Sequence, residues 1–298
     1  MASRFAWLLL LASSVSAAPL AAITGTKYLF VFGDSYSSTG FSITGTKPAA
    51  GNPLGNPAPP GNTMAGGMTW VGHLATEHNT SLTLAYDFAV AGATVDNSIV
   101  AAFSNSIPSV VEQVGTWTKN VGTSPPPSYA PWTADNSLFT VFIGVNDVGN
   151  SFTKAVAAET ALVNKDLDQY FAQLAILYKA GARQFALLNI PPTQLTPFMK
   201  SQSGVANLVT AITNWNGQLA TRAAAFVAAN TGANITLVDT QAPWKKAIAD
   251  PKTYGATDAT CVNANGKSCL WYNSYHPAQA IHNLMAQAVA DAFAGTFF

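Results

Sequence analysis

Charge is what this sequence has least of. Only 9% of its 298 residues are Asp, Glu, Lys or Arg, against about 25% in an ordinary globular chain. Its 14 basic and 14 acidic side chains cancel. No positive field is available to hold nucleic acid, so that class of partner is excluded. Histidine is scarce, with four residues, and cysteine scarcer, with two. No His or second Cys pair stands at ligand spacing, which argues against a metal site. After the first residues there is no run of about 20 apolar side chains, so no membrane span is expected. No charge block, linker or repeat divides the chain. The surface is left to Asn, Thr, Ser, Gln and Gly, a composition suited to neutral polar ligands such as sugars.

The N-terminus has its own pattern. Met1–Arg4 is a short basic start, Phe5–Ala12 an apolar core too short for a bilayer, and Val15-Ser16-Ala17 a small-residue cleavage site. Together they predict a secretory signal over residues 1–17, with 18–298 as one domain. About 280 residues suffice to bury roughly three quarters of the unfolded surface. In a secreted chain, Cys261 and Cys269 most simply form one disulfide, two free thiols being the alternative. Asn79-Thr80-Ser81 and Asn234-Ile235-Thr236 have the form of glycosylation acceptors and are expected at the surface. A monomer is the default expectation.

Short apolar runs alternate with helical patterns. Strands are predicted at Tyr28–Phe32, Leu82–Val90, Leu138–Val145, Gln184–Ile190 and Ile235–Val238. Helices are predicted over Trp70–Glu77, Val110–Lys119, Lys154–Ala180, Val205–Asn230 and Pro277–Phe293, the last with Pro277 in its first turn. The Gly/Pro/Asn-rich stretch 43–68 reads as a long functional or disordered loop. This alternation implies a mainly five-stranded parallel sheet covered on both faces, an α/β/α three-layer sandwich. Ligands of such sheets bind beyond the carboxyl ends of the strands. The small-residue motifs at Gly33, Gly92 and Gly144 all follow strands and should meet at one edge.

The chemistry begins at Gly33-Asp34-Ser35, where a strand ends sharply and delivers a hydroxyl to the tip of a rigid element. A serine needs a base and an oxyanion hole. Of the histidines, His276 sits in a loop kept extended by Pro277 and can face a cleft. His73 and His78 are expected at the surface or in packing, and His282 in a structural role. Gly92 can offer a backbone N–H, Asn146 a side-chain amide, and Ser35 its own N–H. Asp34 and Asp147 are expected to order their own turns. Trp70, Trp132, Trp271 and Tyr272 are candidates for sugar stacking, with the core as the alternative for at least half of them.

The ordered set Gly33-Asp34-Ser35, Gly92, Gly144-Val145-Asn146-Asp147 and His276-Pro277 resembles the SGNH, or GDSL-type, hydrolase family. Phe30–Tyr36, Asn52–Pro57 and Tyr275-His276-Pro277 with Ile281-His282 further resemble the fungal secreted acetylesterases of carbohydrate esterase family 16. The resemblance implies a flavodoxin-like fold and an acyl-enzyme on Ser35 with His276 as base. It implies an oxyanion hole of Ser35, Gly92 and Asn146, no cofactor, and a small acylated carbohydrate as substrate. One position departs from the pattern: Asn273 stands three before His276, where the family has Asp. Asn273 can orient an imidazole but not charge-stabilise it; Asp258 is the alternative support. A lipase or acyltransferase, and a weakly active carbohydrate-binding relative, remain the other readings.

Overall fold

The five apolar runs form strands β1 (Lys27–Gly33), β2 (Thr83–Asp87), β3 (Ser137–Phe142), β4 (Gln184–Leu188) and β5 (Asn234–Val238). The computed structural model describes residues 25–298, so the expected signal segment, 1–17, lies outside the described residues. Every pairing is parallel, in the order β2-β1-β3-β4-β5. β1, β2 and β3 are buried along their whole length, which is why they read as unbroken apolar runs and not as alternations.

The helices are α1 (Trp70–Thr76), α2 (Val110–Asn120), α3 (Val145–Ser151), α4 (Val156–Lys179), α5 (Pro197–Lys200), α6 (Val205–Ala229), α7 (Gln241–Ala249) and α8 (Gln279–Ala292). They pack in two groups, α1 with α8 and α7, and α2 with α4 and α6, one on each face of the sheet. The result is the expected three-layer α/β/α sandwich. From β1 the chain moves outward to β2 and then back across to β3. The strand order therefore reverses between β1 and β3, where α/β sheets open a crevice.

Several boundaries differ from the sequence expectation. β3 stops at Phe142, and Val145 already opens the short helix α3, whose Asn-rich sequence carries little apolar periodicity. α5 and α7 were not expected. α8 starts at Gln279, so Pro277 lies outside it. Pro277 instead bridges Trp271, and Ala278 N–H donates to the Leu270 carbonyl at 2.8 Å. Residues 270–278 thus close into a pinned loop ahead of the helix.

The long 43–68 segment is ordered and covers the outer edge of β2, where Ala85 N–H donates to the Pro53 carbonyl at 2.9 Å. An edge strand so covered is withdrawn from pairing with other chains. Trp70, Trp132 and Trp271 are core residues, each with its indole N–H satisfied internally by Ser37 Oγ, the Val121 carbonyl and the Ala259 carbonyl. They offer no stacking surface, and only Tyr272 of the four candidates is partly exposed. Cys261 and Cys269 form a disulfide. Asn234 is exposed at the start of edge strand β5, whereas Asn79 is half-buried and donates to the Ser81 carbonyl.

Candidate active site

β1 ends at Gly33, where a side chain would meet the Phe142 carbonyl oxygen of β3 at 2.3 Å. Only glycine permits that approach, and it lets the chain turn at once. Asp34 then ties the turn: its Oδ1 accepts Tyr36 N–H at 2.9 Å, and its carbonyl accepts Ser37 and Ser38 N–H. Ser35 rides at the apex.

His276 Nε2 lies 2.8 Å from Ser35 Oγ, and His276 Nδ1 lies 2.9 Å from Asn273 Oδ1. Residues 241 positions apart in sequence meet here. The imidazole is held edge-on by Tyr36 and Tyr275, with ring centroids 5.5 and 5.6 Å away. Tyr36 Oη donates to the Tyr275 carbonyl at 2.9 Å, fastening the Ser35 turn to the His276 loop. The loop closes on itself through Tyr272 N–H and the His276 carbonyl at 2.9 Å.

Asn273 does more than touch the imidazole. Its Oδ1 also accepts Tyr275 N–H at 2.9 Å and His276 N–H at 2.8 Å. Backbone N–H groups can only donate, so the amide must present oxygen, not nitrogen, to this cluster. His276 Nδ1 therefore carries the proton, and its Nε2 lone pair faces the serine hydroxyl. Flipping the amide would aim its NH2 at two main-chain N–H donors. The tautomer that a base requires is imposed by the main chain.

Burial lowers the His276 pKa to about 4, so the imidazole is neutral at neutral pH. Asp258 gives it no support. That carboxylate is exposed and accepts bonds from the Thr260 hydroxyl and N–H, at 2.7 Å each, which hold its pKa low. The alternative acid is thus corrected: it is engaged elsewhere. His73 is buried against Glu77, His78 contacts Asn283, and buried His282 accepts the Trp70 N–H at the start of α1.

The Gly92 and Asn146 segments are bonded to each other. Asn146 Nδ2 donates to the Ala93 carbonyl at 2.8 Å, which fixes the plane of the amide and leaves its second N–H free of that bond. Asp147 Oδ1 accepts Val95 N–H at 2.9 Å, so it braces the Gly92 turn as well as its own helix. Val90 N–H donates to the Gly33 carbonyl at 3.1 Å. All four motifs are therefore joined in one hydrogen-bonded unit.

Sequence reading missed Gln113. From α2 its buried side chain accepts Gly33 N–H at 2.9 Å and donates to the Gly33 carbonyl at 2.8 Å. β2 has already ended at Asp87, opposite Val31. The amide supplies the acceptor that β2 no longer offers to Gly33 N–H and shares the Gly33 carbonyl with Val90 N–H, just before the Ser35 turn. The signal was a Gln in the apolar stripe Val110, Val114, Trp117.

Asp34, Asp147, Glu159 and Asp166 are buried acids. Burial raises Asp34 and Asp147 to about 7, and burial with repulsion from Asp147 and Glu159 raises Asp166 to about 9. Glu159 is raised too, first by burial. Asp34 Oδ2, Asp147 Oδ2, both oxygens of Glu159 and Asp166 Oδ1 have no hydrogen-bond partner.

The family model described as GDSL-like lipase/acylhydrolase matches residues 29–289. An acetylesterase from Thermothelomyces thermophilus is 48% identical over 295 residues, covering 98% of this chain and 96% of that protein. An acetylesterase from Hypocrea jecorina is 34% identical over 181 residues, 57% of this chain and 49% of that one. Among solved structures, an acetylxylan esterase from Geobacillus stearothermophilus covers 92% of this chain and 96% of its own, at 14% identity and a TM-score of 0.48.

Proposed function

The chain belongs to the GDSL-like lipase/acylhydrolase family and is a carboxylic ester hydrolase, and from that premise we propose that it is a secreted acetylesterase acting on small acetylated carbohydrates through an acyl-enzyme on Ser35. The observation that carries this reading is the relay Ser35 Oγ, His276 Nε2, His276 Nδ1, Asn273 Oδ1, with its tautomer fixed by main-chain donors.

Ser35 Oγ attacks the ester carbonyl carbon while its proton passes to His276 Nε2. Negative charge gathers on the former carbonyl oxygen, where Ser35 N–H, Gly92 N–H and the Asn146 amide act as donors. The C–O bond to the sugar breaks, and the imidazolium returns the proton to the departing alkoxide. Water then repeats the sequence on the acyl-Ser35 ester and releases acetate.

Asn273 replaces a carboxylate without the usual defect. In a serine protease, Asp-to-Asn at this role costs about 10⁴ in turnover because the wrong tautomer is held. Here Tyr275 N–H and His276 N–H prevent that tautomer. The missing negative charge remains missing, and the lowered His276 pKa is consistent with it. This geometry weighs against a catalytically inert binding protein.

The sugar-ester substrate rests on the acetylesterase relatives and on the neutral polar surface. Secretion rests on the N-terminal apolar segment and on the disulfide. Among the described residues no helix is long and apolar enough to cross a membrane. The decisive assay is release of acetate from acetylated xylo-oligosaccharides and 4-nitrophenyl acetate by the protein and by Ser35→Ala. A loss of at least about 10³ in the variant is expected on both. Equal rates would remove Ser35 from the mechanism. Activity confined to long-chain acyl esters would replace the acetylesterase with a lipase.

A further inference from the structure

Phe103 is 83% exposed, the most exposed large apolar side chain among the described residues. Single exposed hydrophobics are ordinary, and exposure alone would carry nothing. Its placement is what matters. A side chain added at Gly92 would meet Phe103 Cε1 at 2.4 Å and Ile107 Cδ1 at 3.0 Å. The ring edge therefore rests on Gly92, the residue whose N–H is proposed above as an oxyanion donor.

The loop that displays this ring is pinned on both sides of it. Asn97 Oδ1 accepts Ala102 N–H at 3.2 Å, and Asn97 Nδ2 donates to the Ile107 carbonyl at 2.7 Å. Asn150 Nδ2, on α3, donates to the Ala101 carbonyl at 3.1 Å. The same short helix carries Asn146. Phe103 is thus presented by a hydrogen-bonded scaffold built from the active-site elements, while its ring stays largely free. The tryptophans that sequence suggested for this task are all in the core.

We propose that Phe103 is the stacking platform for the sugar of the ester, resting against the C–H face of the pyranose that carries the acetyl group. This extends the acetylesterase reading and depends on it. Sugar C–H groups pack on an aromatic face and bury apolar area on both partners without disturbing the hydroxyls. A pre-ordered ring adds this contact with little loss of freedom on binding. Because the contact lies away from the reacting atoms, it acts on recognition and not on the proton relay.

The test compares kcat/KM for acetylated xylotriose with that for ethyl acetate, whose alcohol is too small to stack, in the native enzyme, Phe103→Ala and Phe103→Trp. The expected result is a five- to tenfold fall in the ratio for Phe103→Ala, the scale of one aromatic contact, carried mainly by KM of the oligosaccharide. Phe103→Trp should keep or raise the ratio. Equal losses on both esters, or a change tied to acyl length when ethyl butanoate replaces ethyl acetate, would overturn the platform and leave the acetylesterase reading standing. A native enzyme that cleaves ethyl acetate but ignores acetylated xylotriose would overturn both. Because the side chain is exposed, thermal unfolding should show all three proteins equally folded.

Discussion

Two regions flank the proposed nucleophile, and they are opposite in charge chemistry. On the Asn146 side, burial raises Asp34, Asp147, Glu159 and Asp166, and, after burial, the charge of Asp147 raises Asp34 and Asp166 while that of Glu159 raises Asp147 and Asp166. On the His276 side, the position where the family resemblance implied a carboxylate holds Asn273. The imidazole's own partner is a neutral amide. The difference teaches that orientation and charge are separable contributions. The His276 loop keeps orientation through main-chain donors and does without charge, whereas the acidic floor holds carboxyl groups whose pKa burial raises.

The sharpest way to break this comparison is Asn273→Leu. It removes the acceptor of three hydrogen bonds and frees the imidazole to choose its tautomer. A fall in kcat of about 10³ is expected, near that of losing a relay member outright. Circular dichroism should show the fold retained. A loss below tenfold would mean that the loop alone positions His276.

Asn273→Asp sharpens it instead, by restoring charge without changing shape. An opposite charge within about 4 Å favours imidazolium and raises a pKa by 1–3 units. In the native enzyme kcat/KM should fall on acidification only through about pH 4, where His276 takes up a proton and ceases to be a base. In the variant this limb should move up towards neutrality while kcat rises about tenfold. An unmoved limb would show that residue 273 does not govern the imidazole.

A third variant probes the strand end. Gln113→Leu leaves Gly33 N–H buried without its partner and should cost about 1–3 kcal/mol at the turn. We expect kcat about tenfold lower with KM little changed, because the nucleophile shifts and the binding surface does not. Gln113→Glu keeps the acceptor and should recover part of the loss.

The smallest effect concerns the acidic floor. The Asp166 pKa is raised in the folded state to about 9, so the fold binds a proton that the unfolded chain has released. Stability is therefore full below the unfolded value near 4 and declines as pH rises through the folded value. Asp166→Asn removes that decline. The variant should gain about 1–2 kcal/mol at pH 9 and little at pH 5, read as thermal midpoint against pH.

How much of this was legible in the sequence depends on what each residue answers to. Phe30, Val31 and Phe32 are in a strand buried on both faces, and their run announced it. Gly33-Asp34-Ser35 and the His276 loop were legible because the chemistry needs those residue types in that order. Pro277 misled, since a proline fits a helix start as well as a bridge to Trp271. Trp70, Trp132 and Trp271 fell on the core side of the stacking-or-core alternative, and the sequence cannot show which ones do, because the Val121 and Ala259 carbonyls that meet two of their N–H groups are ordinary backbone. Gln113 was hidden for a related reason: its partner is a backbone that any sequence possesses. Phe103 was hidden because exposure is decided by the whole fold.

The 241-residue gap between Ser35 and His276 has a consequence for how the molecule comes into being. During synthesis the sheet strands emerge before the His276 loop, and a nascent polypeptide that has placed its hydroxyl has no partner for it until that loop and α8 leave the ribosome and α8 docks on α1. Hydrolytic competence thus waits for the His276 loop, and a product released before that loop, however well ordered its sheet, would be silent.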